Sequence, residues 1–122
     1  MKIREEALAL HGQGCNCAQS VLMACGKYTG LDAETAKAIS AGFGGGVRSG
    51  EICGAISGAV MALGLREQDR AMIARESKAC VDAFREAFGC VRCVELKQNG
   101  VSCDTLIAFC AEYMEQWMEN KE

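Results

Sequence analysis

The sequence predicts an all-α fold: a compact single-domain helical bundle of about six or seven helices, with a Gly-rich loop before the central helix. The chain contains no proline. Alanine, glutamate, methionine and lysine, which favour helices, are plentiful, whereas β-branched residues are sparse. No stretch alternates apolar and polar residues as a half-buried strand does. The length of 122 residues suits one domain over 1–122.

The first part of the chain is predicted to form helices over 2–11, 16–29 and 33–42. Asn16 suits the start of the second helix, because its side chain can accept a backbone N–H that the helix leaves free. Gly30 lies just beyond the end of that helix. Asp32 can cap the third helix in the same way. The Gly-rich run that follows is predicted to be a loop.

The second part of the chain is predicted to form helices over 51–65, 68–88, 90–98 and 103–120. Glu51 falls in the first turn of its helix, where a negative charge suits the helix dipole. The long helix over 68–88 is expected to stop near Gly89. Ser102 can cap the last helix.

Charge and hydropathy exclude several classes of protein. The net charge is −3, and no basic patch indicates a nucleic-acid-binding surface. No apolar run reaches the roughly eighteen residues that a transmembrane helix needs. The N-terminal sequence MKIREEALALHG is too acidic, and its apolar stretch too short, for a secretory signal. We therefore expect a cytoplasmic protein that contacts neither nucleic acid nor membrane.

Nine cysteines are the most unusual feature of the composition. An odd number cannot all pair within one chain, and in a reducing cytosol many cysteines indicate metal binding or catalysis more than a disulfide framework. The single histidine, His11, is expected to face solvent at a helix end. Any metal site must therefore be rich in thiolates.

Helical spacing divides the cysteines into two groups. Cys17, Cys53 and Cys103 fall at predicted helix starts and begin apolar stripes that should face the core. The free N–H groups and the positive dipole at a helix start stabilise a thiolate, the form that binds metals and attacks disulfides. Three further cysteines lie in mid-helix and are predicted to be core residues: Cys25, Cys80 and Cys110.

The pair 90-CVRC-93 has the spacing of a dithiol, zinc or cluster motif. A thioredoxin-like site needs a βαβ setting, which the sequence does not predict. A covalent c-type haem needs a histidine where Val94 stands. A zinc ribbon needs a second C-x-x-C, and 15-CNC-17 has one residue too few between its cysteines. The pair indicates functional thiols without deciding their kind.

The Gly-rich run GFGGGVRSG lacks the context of a phosphate-binding loop, because no strand precedes it and no Gly-Lys-Ser/Thr ends it. In the helix that follows, Gly54 and Gly58 each cost roughly 1 kcal/mol of helix propensity. Either a neighbouring helix packs closely on this face, or the glycines leave room beside Cys53 for a bound cofactor. Packing against a second copy, in a homodimer, is a further alternative.

Cys53 and the two glycines form the element 53-CGAISG-58. This element and several flanking segments resemble the C_GCAxxG_C_C family of redox-active proteins, which is named for its cysteines and a Cys-Gly-Ala-x-x-Gly element. Upstream, 14-GCNCAQSVLMA-24 is similar to the segment around the family's first cysteine, and 41-AGFGGGVRSGEICGA-55 fits its glycine-rich approach. Downstream, 93-CVEL-96 and 103-CDTLIAF-109 resemble the segments of its third and fourth cysteines.

The resemblance implies a site of four linked cysteines, which are Cys17, Cys53, Cys93 and Cys103. It agrees with the helix-start argument at three of these positions. Three neighbouring cysteines compete for places in the site: Cys15, Cys90 and Cys110.

Three functions are consistent with these features. The leading hypothesis is an iron–sulfur cluster or other metal, bound by the four cysteines with Gly54 and Gly58 beside it, that exchanges electrons with a redox partner protein. The first alternative is a thiol–disulfide oxidoreductase acting on a small thiol or disulfide, with Cys53 as nucleophile and Cys17 or Cys93 resolving. The second alternative is a zinc-stabilised structural or interaction module.

Overall fold

Eight α-helices make up the fold, and no strand is present. The structure is a computed structural model that describes all residues from 1 to 122. The helices are α1 (Ile3–Gly12), α2 (Cys17–Ala24), α3 (Gly26–Thr29), α4 (Ala33–Ser40), α5 (Gly54–Arg66), α6 (Arg70–Phe88), α7 (Cys93–Gln98) and α8 (Cys103–Lys121). The predicted all-α bundle is confirmed. None of the helices is long and apolar enough to cross a membrane.

The central helix is α5, which packs against α2, α6 and α8, while α1 packs against α2 and α8. Small residues on α5 allow its neighbours to approach closely, and most of the helix is buried. The core contains 24 buried residues, and loss of this apolar surface from water is the main stabilising contribution. Phe84 and Phe88 of α6 contact Phe109 of α8 edge-on, with ring centroids 5.8 and 5.3 Å apart.

The helix predicted over 16–29 is interrupted. Cys25 ends α2 and precedes Gly26, whose low helix propensity favours a break at this point. The chain resumes as the short helix α3.

The helix predicted over 33–42 ends as an α-helix at Ser40. The Ser40 hydroxyl donates a hydrogen bond of 2.6 Å to the carbonyl oxygen of Ala36, which competes with the regular backbone pattern. A 3₁₀ turn over Ala41–Phe43 continues the chain into the Gly-rich run.

The segments before α5 and α7 lie side by side and antiparallel. The Cys53 N–H donates to the carbonyl oxygen of Val91 at 2.9 Å, and the Cys93 N–H donates to that of Glu51 at 2.6 Å. These bonds hold the backbone out of helical geometry, so both helices begin three residues later than predicted. Glu51 therefore lies outside the first turn in which it was predicted, and its carboxylate pairs with the Arg92 guanidinium at 3.0 Å.

The Gly-rich run contains one turn of left-handed backbone. The φ angles are 63°, 65°, 57° and 59° at Gly45, Gly46, Val47 and Arg48. Glycine adopts this conformation freely, but each non-glycine residue costs roughly 1–2 kcal/mol there. Gly46 is also required sterically, because a Cβ at this position would lie 2.5 Å from the backbone nitrogen of Glu51.

Candidate functional site

Four helix starts meet at one cavity. Cys17, Cys93 and Cys103 are the first residues of α2, α7 and α8, and Cys53 directly precedes α5. The cavity has a volume of about 30 Å³ and is lined by Cys17, Gly45, Cys53, Cys93, Lys97, Val101, Cys103 and Leu106. The structure thus brings the four predicted site cysteines together, and it adds Cys93 to the three that were predicted to stand at helix starts.

The four thiols differ in their access to solvent. Cys17 and Cys53, the inner pair, are buried. Cys93 and Cys103, the outer pair, are partly exposed. Lys97 lies one turn after Cys93 on α7 and is the only charged residue among those that line the cavity. Solvent and other molecules therefore reach the centre on the side of the outer pair.

Hydrogen-bond donors converge on the sulfur of Cys17. The Cys53 thiol donates to it, as do the backbone N–H groups of Gly45, Ala18 and Cys17 itself. The bond from Cys53, aided by the backbone donors, lowers the pKa of Cys17 to about 6 against the opposing effect of burial. The backbone donors come from two elements. Cys17 and Ala18 lie in the first turn of the right-handed helix α2, and Gly45 begins the left-handed turn.

The thiol of Cys53 has the opposite character. Its hydrogen bond to Cys17 and its burial raise its pKa, and a single backbone donor, at Ala55, opposes this. Cys53 therefore keeps its proton while Cys17 gives one up. In the outer pair, burial raises the pKa of Cys103, the negative charge of Cys17 adds to this effect, and Lys97 opposes it.

Gly54 and Gly58 both face α2. A Cβ on Gly54 would lie 2.5 Å from the Cys17 sulfur, and a Cβ on Gly58 would lie 2.7 Å from the carbonyl oxygen of Ala18. Close helix packing, one of the alternatives predicted for these glycines, is therefore present. Gly54 leaves room for the Cys17 sulfur, whereas the structure places Gly58 in the interhelical contact and not among the residues that line the cavity.

The three cysteines that were predicted to be core residues lie in the core. All three are fully or almost fully buried, and none lines the cavity: Cys25, Cys80 and Cys110. Burial raises the pKa of each of them, to about 12 for Cys25 and about 11 for Cys80. These thiols are protonated at neutral pH and behave as small apolar residues.

The two competing cysteines near the site lie off the cavity. Cys15 is buried just before α2, and Cys90 lies before α7, 4.0 Å from the side-chain amide nitrogen of Asn99. His11 is also separate from the cavity, with its Nδ1 2.7 Å from Asp104 Oδ1. Cys17 and Cys93 thus line the cavity, whereas Cys15 and Cys90 do not.

The donor set of the cavity suits thiolate metal chemistry. Four cysteines line it, with no histidine or carboxylate, and such a set is typical of iron–sulfur and zinc sites. No group of three or more His, Cys, Asp or Glu side chains is arranged to hold a metal ion in this conformation. The cavity volume of about 30 Å³ exceeds the roughly 10–15 Å³ that one water needs, but it is small for a cluster of several atoms. Binding of such a cluster would therefore require rearrangement of the outer pair, which is the more exposed of the two pairs.

Sequence reasoning missed four residues that line the cavity, of which Lys97 and Gly45 influence the thiols and Val101 and Leu106 are apolar. Lys97 stands four residues after Cys93, so the helical spacing places both on one face of α7, and this signal could have found it. Gly45 carries no comparable signal, because its approach to Cys17 depends on the left-handed turn.

Fold and site together define an all-helical protein with a four-cysteine centre. The sequence matches the family described as "Putative redox-active protein (C_GCAxxG_C_C)" over residues 15–117, a range that contains all four cysteines. The chain therefore belongs to the C_GCAxxG_C_C family. Neither a curated protein nor a solved structure matches it.

Proposed function

We propose that this chain is an electron-transfer protein in which the four cysteines bind an iron–sulfur cluster: Cys17, Cys53, Cys93 and Cys103. The observation that carries the proposal is the convergence of four thiols, from four separate helix starts, on one cavity. A disulfide exchange centre needs only two thiols. The presence of the outer pair at the same cavity favours a ligand set of four.

Two further observations favour an electron carrier over a structural zinc site. The core of 24 buried residues is large and continuous, so we expect the fold to form without metal. The donors that surround Cys17 are suited to tune a redox group, since N–H groups near a ligand sulfur favour the reduced, more negative state.

Each part of the site has a distinct role in this proposal. A cluster bound here would supply the one-electron acceptor. The inner pair excludes water, and the backbone N–H groups of Gly45 and Ala18 offset negative charge on the Cys17 sulfur. Lys97 adds a positive charge on the side of the outer pair. Because all nine cysteines are free, we also propose a reducing compartment such as the cytoplasm.

The proposal is tested by anaerobic purification, followed by an absorption spectrum and by iron, sulfide and zinc quantitation on the same sample. We expect a visible band, bleached by dithionite, with stoichiometric iron. Cys93→Ser and Cys17→Ser should lose the band, whereas the matched variants Cys90→Ser and Cys15→Ser should retain it. Zinc without colour would favour the structural module, and absence of both metals would reject a metal centre.

Thiol–disulfide exchange is the second candidate, and the hydrogen bond between Cys17 and Cys53 favours it. Cys17 is the better nucleophile of the two, because its pKa is lowered whereas that of Cys53 is raised. In this candidate the two cysteines therefore exchange roles relative to the sequence-based hypothesis, in which Cys53 is the nucleophile. The Cys17 thiolate would attack a small-molecule disulfide and release one thiolate. Cys53, on losing its proton, would attack the Cys17 sulfur, form the Cys17–Cys53 disulfide and release the second thiolate.

Turnover of oxidised glutathione, with a dithiol as reductant, tests this candidate on metal-free protein. We expect Cys17→Ser to abolish turnover and Cys90→Ser to leave it unchanged. Full activity in Cys17→Ser would reject the mechanism.

A further inference from the structure

Exposed apolar side chains are concentrated in the segments that lead to Cys53 and follow Cys93. Val47 is 50% exposed, Ile52 42% and Val94 37%. They are half of the large hydrophobic residues that the fold leaves exposed. All three lie in the two segments that carry the site, either between Gly45 and Cys53 or directly after Cys93.

These segments form one surface. An ideal Cβ on Gly50 would lie 3.2 Å from the Val94 Cβ, so the end of the Gly-rich run packs on the first turn of α7. Ile52 and Arg92 pair across the antiparallel bridge. We call this surface the docking face and define it by its exposed residues and by the site cysteine beside them: Val47, Arg48, Ile52, Cys93, Val94 and Lys97.

The side chains of the left-handed turn form no contact within the chain that offsets its backbone strain. Val47 is half exposed although its left-handed conformation is unfavourable for a β-branched residue. Arg48 has the same conformation, is exposed and forms no ion pair. The backbone of the turn serves the site through the Gly45 N–H. Its outward apolar and cationic side chains contribute neither to packing nor to the site, which indicates a function outside the fold.

The charge of the docking face differs from that of the molecule. The chain carries a net charge of −3. On and around the docking face, three cations outnumber two carboxylates: Arg48, Arg92 and Lys97 against Glu51 and Glu95. Arg92 is engaged by both carboxylates, which leaves Arg48 and Lys97 without ion-pair partners. Two free cations flank the apolar residues.

We infer that the docking face receives a redox partner protein whose exposed, apolar cofactor edge is surrounded by carboxylates. The inference rests on the proposed function, and it adds the place of contact and the chemistry of the partner. Apolar contact at Val47, Ile52 and Val94 would bring the two centres together, and the free cations would steer and orient the carboxylates. Electrons then pass on the side of the outer pair, the less buried side of the site.

Binding is tested with a flavodoxin, a small acidic protein with an exposed flavin edge, titrated into the ¹⁵N-labelled full chain at low salt. We expect chemical-shift changes confined to residues 45–52 and 92–97, and their loss at high salt. Arg48→Glu combined with Lys97→Glu should weaken binding roughly tenfold or more. The matched control reverses two charges on α6, Arg70→Glu with Arg75→Glu, and should bind like the original chain.

A second variant separates docking from folding. Val47→Asn replaces an apolar side chain by one that tolerates left-handed backbone, so it should weaken binding while the fold is kept. Shift changes elsewhere on the molecule, or binding insensitive to both the charge reversal and Val47→Asn, would overturn the inference. Concentration-dependent shifts of the same residues in the chain alone would assign the face to a second copy and also overturn it.

The proposed function is read out separately on the same samples by dithionite reduction, which requires no docking. Bleaching by dithionite without localised flavodoxin binding would leave the electron-transfer proposal standing and reject the docking face. Localised binding by a chain that dithionite does not bleach would support the face and reject the electron carrier.

Discussion

Among the four cysteines of the site, the number of donors around each sulfur decides which one ionises. Cys17 accepts hydrogen bonds from three backbone N–H groups and a thiol, whereas Cys53 has one backbone donor and donates its own S–H to Cys17. Position at a helix start is common to all four, so the dipole alone does not separate them. The difference in pKa between Cys17 and Cys53 arises from tertiary contacts, above all the approach of Gly45 and Cys53 to the Cys17 sulfur.

The pKa of Cys17 is the first prediction at this scale. In metal-free protein, the ultraviolet thiolate absorbance that is lost in Cys17→Ser should titrate with a midpoint of about 6. Because the pKa is lowered, the thiolate should dominate above this pH and be lost as the pH falls through it. Cys53→Ala removes a donor and should raise the midpoint, while Cys53→Ser keeps a hydroxyl donor and should raise it less. An unchanged midpoint in Cys53→Ala would contradict the assignment of the donor.

The second prediction concerns two glycines of α5. Gly54→Ala should destabilise the protein by about 1–3 kcal/mol, because the new Cβ would lie 2.5 Å from the Cys17 sulfur and 2.8 Å from the carbonyl oxygen of Phe43. Gly64→Ala is the matched control. No heavy atom lies within 4 Å of its Cβ position, so it should stabilise the helix by about 1 kcal/mol. Urea unfolding measures both, and equal effects in the two variants would reject the packing argument.

Among the structural elements, the left-handed turn has the least favourable backbone conformation, and its first residue, Gly45, lines the site. It brings the Gly45 N–H to Cys17 and turns Val47 and Arg48 outward. The antiparallel contact between the segments before α5 and α7 then sets where both helices begin. The irregular backbone before α5 and α7 thus fixes the positions of Cys53 and Cys93. It also holds these two helices in register with each other.

Relief of strain in this turn is the third prediction. Val47→Asn should raise the free energy of unfolding by roughly 0.5–1 kcal/mol, since asparagine tolerates positive φ far better than valine. Val94→Asn is the control, because Val94 is exposed to a similar degree but lies in right-handed α7, where asparagine brings no gain. The measurement is urea unfolding of metal-free protein. A loss of stability in Val47→Asn would indicate that Val47 packs against the fold.

For the whole molecule, local signals determine the helices and only part of the site. The caps at Asn16, Asp32 and Ser102 each accept the backbone N–H that sequence reasoning assigned to such a residue. Cys17 and Cys103 stand at helix starts for the same local reason. Cys93 was not recognised as a helix start. The hydrogen bond from its N–H to Glu51 delays the start of α7, and this bond joins segments that are far apart in the sequence.

The distinction between local signals and contacts of distant segments also explains the remaining differences between the sequence-based predictions and the structure. The left-handed conformation of Val47 and Arg48 opposes their local preference and depends on close contact of Gly46 with Glu51. The role of Gly58 could not be decided from spacing, since a glycine row suits both a bound group and a neighbouring helix. In the structure, the Ala18 carbonyl oxygen lies 2.7 Å from where a Cβ on Gly58 would stand, which is a close contact with the neighbouring helix.

Independence of the fold from the site is the last prediction, and it separates an electron carrier from a structural metal module. Cys93→Ser combined with Cys103→Ser should abolish metal binding and keep the helical circular dichroism. Its cooperative urea unfolding should lie within about 1 kcal/mol of the metal-free original chain, because both side chains are partly exposed and outside the 24 buried residues of the core. Cys90→Ser should retain both metal and fold. Unfolding of the double variant, or of the original chain on addition of a chelator, would mean that the metal supplies folding free energy. The four thiols would then serve the structure, and the donors around Cys17 would stabilise a ligand without tuning a redox group.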